Sequence, residues 1–226
     1  MPRLMLADEH WSKLRKILRE VGVCDKPALR RMVEGMLYRL RTGCPWRDLP
    51  EYFGHWNSIY KKFNAWSASG KWRYIFRKLV IDPDLEWEFI DGSYVKVHQH
   101  STGAAGEDSQ AIGKSRAGNT SKIHLAVDSC GLPIEFLVTG GETHDSKAAS
   151  ELIAQLPAAE AVVADKANSV IGNADMDWAL YRYRHLVKNA FASLKRFRAL
   201  ATRYDKLKIN YESMVAMACG FLWLPM

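Results

Sequence analysis

The sequence predicts an α/β chain in which a small all-helical block, residues 1–80, precedes a mixed sheet flanked by helices over residues 86–226. Three observations predict it. Apolar residues recur at helical spacing through the first 80 residues, short alternating or fully apolar runs follow between Glu88 and Asp165, and helical spacing returns from Trp178 onward. With 226 residues and 48% hydrophobic content, the chain can bury one large core or two small ones.

In the first block, Trp11, Leu14, Ile17, Leu18 and Val21 share a face of a basic helix over His10–Val21 that Asp8 can cap. Leu29, Met32, Val33, Met36, Leu37 and Leu40 form the stripe of a second helix over Ala28–Thr42, which Gly43 ends. After the tight connection Cys44–Pro50, Ser58 is the expected cap of a third helix through Ile59, Phe63 and Trp66, closed by Gly70. A turn between the second and third helices suggests a helix-turn-helix-like module. Arg47, Lys61, Lys62, Asn64 and Lys71 are then candidates for phosphate or base contacts.

Residues 81–87 read as a linker. In Glu88–Val97 an apolar run reaches Asp91, Gly92-Ser93 reads as a turn, and Tyr94–Val97 alternates as a second strand. Gln99–Thr120 reads as a glycine-rich loop whose Lys114 and Arg116 could meet phosphate. Two strands, Ser121–Asp128 and Leu132–Val138, and a helix over Ser146–Leu156 follow. Ala161–Ala164 is a short apolar strand ending in Asp165, as expected of a strand buried on both faces. The tail, Tyr211–Leu224, reads as a buried closing helix.

Charge is uneven. Lys and Arg outnumber Asp and Glu 17 to 7 in residues 1–80 and 10 to 5 after residue 160, whereas acids lead 13 to 5 between them. Basic blocks around an acidic centre suit a polyanion held beside a metal-binding site, although a solvated helix face gives the same counts. No apolar run reaches the roughly 20 residues of a membrane span, and Met1–Asp8 lacks a signal-peptide core, so a cytoplasmic protein is expected. Cys24, Cys44, Cys130 and Cys219 show no paired spacing, which argues against a zinc site or disulfide framework and for four core residues.

Two aspartates at strand ends suit Mg²⁺ or Mn²⁺, which prefer hard oxygen ligands and keep several waters. Two such ions about 3.5–4 Å apart can activate a water or 3′-hydroxyl against a phosphodiester. Asp91 and Asp165 are therefore the candidate catalytic and metal-binding acids. Capping and turn roles are the ordinary alternative for such residues.

Phe89-Ile90-Asp91-Gly92-Ser93, Lys122-Ile123-His124, Gly141-Glu142-Thr143-His144-Asp145, Val162-Val163-Ala164-Asp165-Lys166, Arg184-His185-Leu186-Val187 and Ala201–Lys206 together resemble bacterial insertion-sequence transposases of the DDE class, in the group numbered five. Gly43–Pro50 is similar to that group's amino-terminal module. The resemblance implies a ribonuclease-H-like domain and Mg²⁺- or Mn²⁺-dependent cleavage and strand transfer at terminal inverted repeats of double-stranded DNA. It also implies a homo-oligomer on that DNA. Asp91 and Asp165 match the first two acids, and Lys122, Tyr181, Arg184, Lys195 and Arg203 are the motif residues expected on DNA.

Two departures stand out. The carboxy-terminal signature spaces Tyr, Arg, Glu and Lys with gaps of two, three and six residues; Tyr181, Arg184 and Lys195 are in register, but Lys188 occupies the Glu position. An ammonium cannot ligate Mg²⁺. Asp165 and Lys188 also lie only 23 positions apart, closer than in the family, with a junction over Ala167–Asn173. Asp175, Asp177 and Asp205 are out of register as substitutes. The readings that follow are a transposase, a DNA-binding remnant or repressor without catalysis, and a metal-dependent nuclease unconnected with mobile DNA.

Overall fold

Helix α1 (Asp8–Glu20) starts with two acids in its first turn, favourable to the helix dipole, and buries Trp11, Leu14, Ile17 and Leu18. The computed structural model describes residues 2–103, 110–159, 161–164 and 182–225. Helix α2 (Leu29–Thr42) ends at Gly43, whose φ of 69° is left-handed; a Cβ there would lie 3.1 Å from that of Arg198.

Helix α3 (Trp56–Ala68) begins two residues earlier than the expected Ser58 cap. His55 is its cap, with Nδ1 accepting the Asn57 N–H at 3.3 Å. Gly70 does not simply close the helical block. At φ 68° it turns the chain directly into a fourth helix, α4 (Lys71–Leu79), which buries Trp72, Ile75, Phe76 and Leu79.

The sheet has six strands among the described residues. They are β1 (Trp87–Val97), β2 (Gly113–Ser115), β3 (Gly118–Val127), β4 (Pro133–Gly140), β5 (Ala161–Ala164) and β6 (Thr202–Arg203). β1 lies between antiparallel β3 and parallel β5, with β6 parallel at its far end; β2 and β4 pair with β3. The sheet is therefore mixed, as expected.

The Gly92-Ser93 turn expected from sequence does not form. β1 runs straight through it, with Gly92 paired to His124 and Ser93 to Ile123, so Asp91 lies mid-strand rather than at a strand end. An unbroken partner strand satisfies the backbone at these residues, and the glycine has a packing reason, given below. Part of the expected glycine-rich loop likewise forms β2.

Helix α5 (Asp145–Ile153) crosses one sheet face, and α6 (His185–Lys195) packs against β1 and β3. The helical pattern of the carboxy-terminal segment breaks after Lys195, and Arg198–Ala201 forms a separate short helix, α7.

Helix α8 (Lys208–Trp223) is buried almost all round, as its apolar sequence predicts. It joins both ends of the chain. It packs on α3, α4 and β4; Trp223 Nε1 donates to the Pro133 carbonyl at 2.6 Å and Asn210 Nδ2 to Asn64 Oδ1 at 3.0 Å. Nearby, Arg39 pairs with Asp205 at 3.1 Å, both largely buried, and lies over the Trp46 ring. Arg73 and Arg77 converge on buried Glu135 at 2.8 and 2.7 Å. Of the four cysteines only Cys219 is a core residue; Cys24 and Cys130 are exposed and Cys44 half-buried. No helix among the described residues is long and apolar enough to cross a membrane.

Candidate functional site

Side chains directly opposite one another on paired strands point to the same sheet face. The register therefore puts Asp91 and Ser93 on the face that α6 covers, and Gly92, Lys122 and His124 on the face that α5 meets.

On the first face, Asp91 Oδ1 accepts the Gly92 N–H at 2.8 Å, and Oδ2 faces Arg184 Nη2 at 3.2 Å. Both side chains are largely out of water, 16% and 10% exposed. Lys195 Nζ donates to Ser93 Oγ at 2.7 Å. Lys188 is exposed. It is four residues after Arg184 and seven before Lys195, a spacing that sets all three cations on one side of the α6 segment.

On the second face, Lys122 Nζ donates to Asp145 Oδ2 at 2.7 Å and lies over the Tyr94 ring. His124 Nδ1 is 3.2 Å from Asp145 Oδ1, and its Nε2 is 2.9 Å from Thr139 Oγ1. Burial pushes the His124 imidazole down to about 4 against the pull of Asp145, so it is neutral at pH 7. Gly92 closes this cluster. A Cβ at Gly92 would lie 2.3 Å from Asp145 Oδ1 and 2.8 Å from Lys122 Cε, so an added side chain would force the ends of these two side chains to shift. The two-residue period of β3 gave a signal for the shared face of Lys122 and His124, but nothing in the sequence pointed to their junction with Asp145.

Among the residues expected on DNA, Arg47 and Lys61 are exposed, with Arg47 over the Trp56 ring. Lys62 is half-buried over the Trp66 ring. Asn64 is taken by Asn210, and Lys71 donates to the Val21 carbonyl. Lys122 is 4% exposed and committed to Asp145. Arg203 is fully buried and donates to the carbonyls of Gln110, Ala111, Asp205 and Lys206 and to Ser121 Oγ. Both face the interior, where a buried cation is matched by acceptors. Asp165 and Tyr181 lie outside the described residues, as do Asp175 and Asp177.

The described residues do not fit a divalent-metal pair. Asp91 is already matched by a guanidinium, and no group of three or more His, Cys, Asp or Glu among them converges as a metal cage. In the parallel β1–β5 pair, Ala164 lies opposite Ile90, the residue before Asp91.

Family models match both parts of the chain. One described as a putative transposase of IS4/5 family matches residues 6–76, and one described as a transposase DDE domain matches residues 89–176. A putative transposase for insertion sequence element IS6501 from Brucella ovis is 30% identical over 128 residues, covering 46% of this chain and 98% of that protein. The chain belongs to the DDE-class insertion-sequence transposases. An uncharacterized protein, y4sN, from Sinorhizobium fredii is 31% identical over 103 residues, covering 44% of this chain and 82% of its own length. No solved structure matches this family member. The family assignment accounts for the order of the motifs, whereas Arg184 against Asp91 is a feature of this chain's own geometry.

Proposed function

We propose that this family member binds double-stranded DNA, on a ribonuclease-H-like framework, at the terminal inverted repeats of its element, and does so without an assembled metal centre. The observation that carries this reading is the Arg184–Asp91 pair at 3.2 Å, with Lys188 and Lys195 along the same side of α6. A carboxylate neutralised from within the chain leaves a basic surface rather than a cation trap. Arg47 and Lys61 are further exposed cations, and the net charge of +7 favours association with a polyanion in the cytoplasm.

DDE domains generally work with divalent metal ions, and Asp91 and Asp165 are the residues that would hold Mg²⁺ or Mn²⁺ here. Cleavage and strand transfer by a homo-oligomer on DNA is therefore the second reading, favoured by the β1–β5 register that brings the residues preceding both acids together.

One experiment separates the two. Labelled duplexes carrying the DNA that flanks the gene are incubated with the protein in Mn²⁺ or EDTA and analysed for binding and nicking. The expected result is salt-dependent binding in both buffers without nicking. Nicking in Mn²⁺ that Asp91→Asn abolishes would establish the second reading instead.

A further inference from the structure

We propose that Tyr204, stacked on His98, is a platform for an unpaired base of single-stranded nucleic acid. The site lies just past the carboxy-terminal end of β1. It goes beyond the duplex reading above and does not depend on it.

The ring is exposed because its neighbours are not. Arg203, before it, is fully buried and donates to four backbone carbonyls and the Ser121 hydroxyl. Asp205, after it, is buried and paired with Arg39. With both neighbours turned inward the residue between them faces out, and Tyr204 is 46% exposed.

Its ring is nonetheless held in place. It stacks on the His98 imidazole with centroids 4.6 Å apart and planes 26° from parallel, and the His98 and His100 rings lie 4.8 Å apart. The stack is tied to the buried residue: the Arg203 carbonyl accepts the His98 N–H at 2.9 Å and the Ser101 hydroxyl at 2.9 Å. Rings fixed in this way lose little freedom when another planar ring joins them.

The surroundings suit a base carried on a strand. Lys96, opposite Thr202 in the β1–β6 pair, and Lys206 are both exposed and supply positive charge for the backbone that carries the base. Exposed Leu207 and Ile209 extend the apolar surface along the chain from Tyr204. Three part-exposed side chains fall well short of the ~800 Å² per partner that a stable protein interface buries, so one planar ring fits this patch better than a second copy of the chain. Bases inside a duplex hide their faces in the stack, which leaves an unpaired base as the ligand. Stacking reads no base edge, so the site is tolerant of sequence.

The test uses the full chain and three fluorescein-labelled ligands of one length, followed by anisotropy at fixed salt in EDTA. They are a single strand that cannot pair with itself, the same backbone with abasic sites in place of its central bases, and the duplex. The wild-type chain is expected to bind the intact strand at least about fivefold tighter than the abasic one, the lower end of the effect of one stacked base. Tyr204→Leu is expected to erase that difference and Tyr204→Phe to keep it, with circular dichroism checking both folds. Photocrosslinking of the wild-type chain to an iodouracil-bearing strand reads the contact without a variant, and is expected to label the peptide that carries Tyr204.

Equal affinity of the wild-type chain for the intact and abasic strands would overturn the site. So would a preference that survives in folded Tyr204→Leu, or a free nucleoside monophosphate that competes as well as the strand. The duplex arm bears only on the earlier reading: a chain that stacks an unpaired base but binds no duplex keeps this site and loses that reading.

Discussion

Arg184 meets Asp91 across the seam between the α6 segment and the central strand, 3.2 Å from nitrogen to oxygen. Both side chains are poorly exposed, so removing one leaves the other charged and short of water. Replacing Arg184 by Met is expected to cost about 3 kcal/mol in urea unfolding. The double variant with Asp91→Asn recovers a large part of that loss, and a double-mutant cycle measures the coupling. Simple additivity would show that the pair contributes nothing.

Gly92→Ala tests the cluster on the other face of the strand. The added methyl runs into Asp145 Oδ1 and Lys122 Cε, and overpacking of this kind costs about 1–3 kcal/mol. The same substitution in an Asp145→Ala background is expected to be much milder, read as the difference between two thermal melts. Equal losses in both backgrounds would rule out Asp145 as the obstacle.

Glu88 gives the sheet a pH dependence. It lies on the central strand, fully buried, with neither carboxylate oxygen hydrogen-bonded, and burial pushes its carboxyl up to about 7 from an ordinary 4.5. A folded-state value above the unfolded one means that protons favour folding. Its contribution is complete below pH 4.5 and is lost as pH rises through 7, an effect of about 3 kcal/mol. Urea unfolding at pH 5 and pH 8 should show this fall in stability, and Glu88→Leu should reduce it. An unchanged pH profile in the variant would place the dependence elsewhere.

Arg203 is expected to be a stability residue. Its guanidinium supplies donors to four backbone carbonyls and the Ser121 hydroxyl, tying the segment at Gln110 and Ala111 to the carboxy-terminal helices. Arg203→Met leaves those acceptors buried without donors and should cost more than about 3 kcal/mol. Arg203→Lys should recover only part, since an ammonium cannot reproduce the planar fork. Thermal unfolding of both variants checks the order.

Much of the fold was legible because it depends on local periodicity. The stripes of α1 and α2, the β3 and β4 strands and the apolar closing helix all follow from the spacing of their own residues. Gly92-Ser93 misled because a turn dipeptide is a local signal, whereas the pairing of β1 with β3 and the pressure of Asp145 on Gly92 join residues far apart in sequence. The same limit hid the site's charge balance. Lys188 was visible as an ammonium in place of a carboxylate, but Arg184 against Asp91 and Arg203 turned inward required the packed chain. The motif cations looked equivalent in sequence; burial separated exposed Arg47, Lys61 and Lys195 from interior Lys122 and Arg203.

Because α8 fills the space between the amino-terminal helices and the sheet, those helices depend on residues 208–223 for their packing. The early helices cannot complete their apolar interior until the closing segment has left the ribosome, so a product truncated before residue 208 would emerge with that interior open to water.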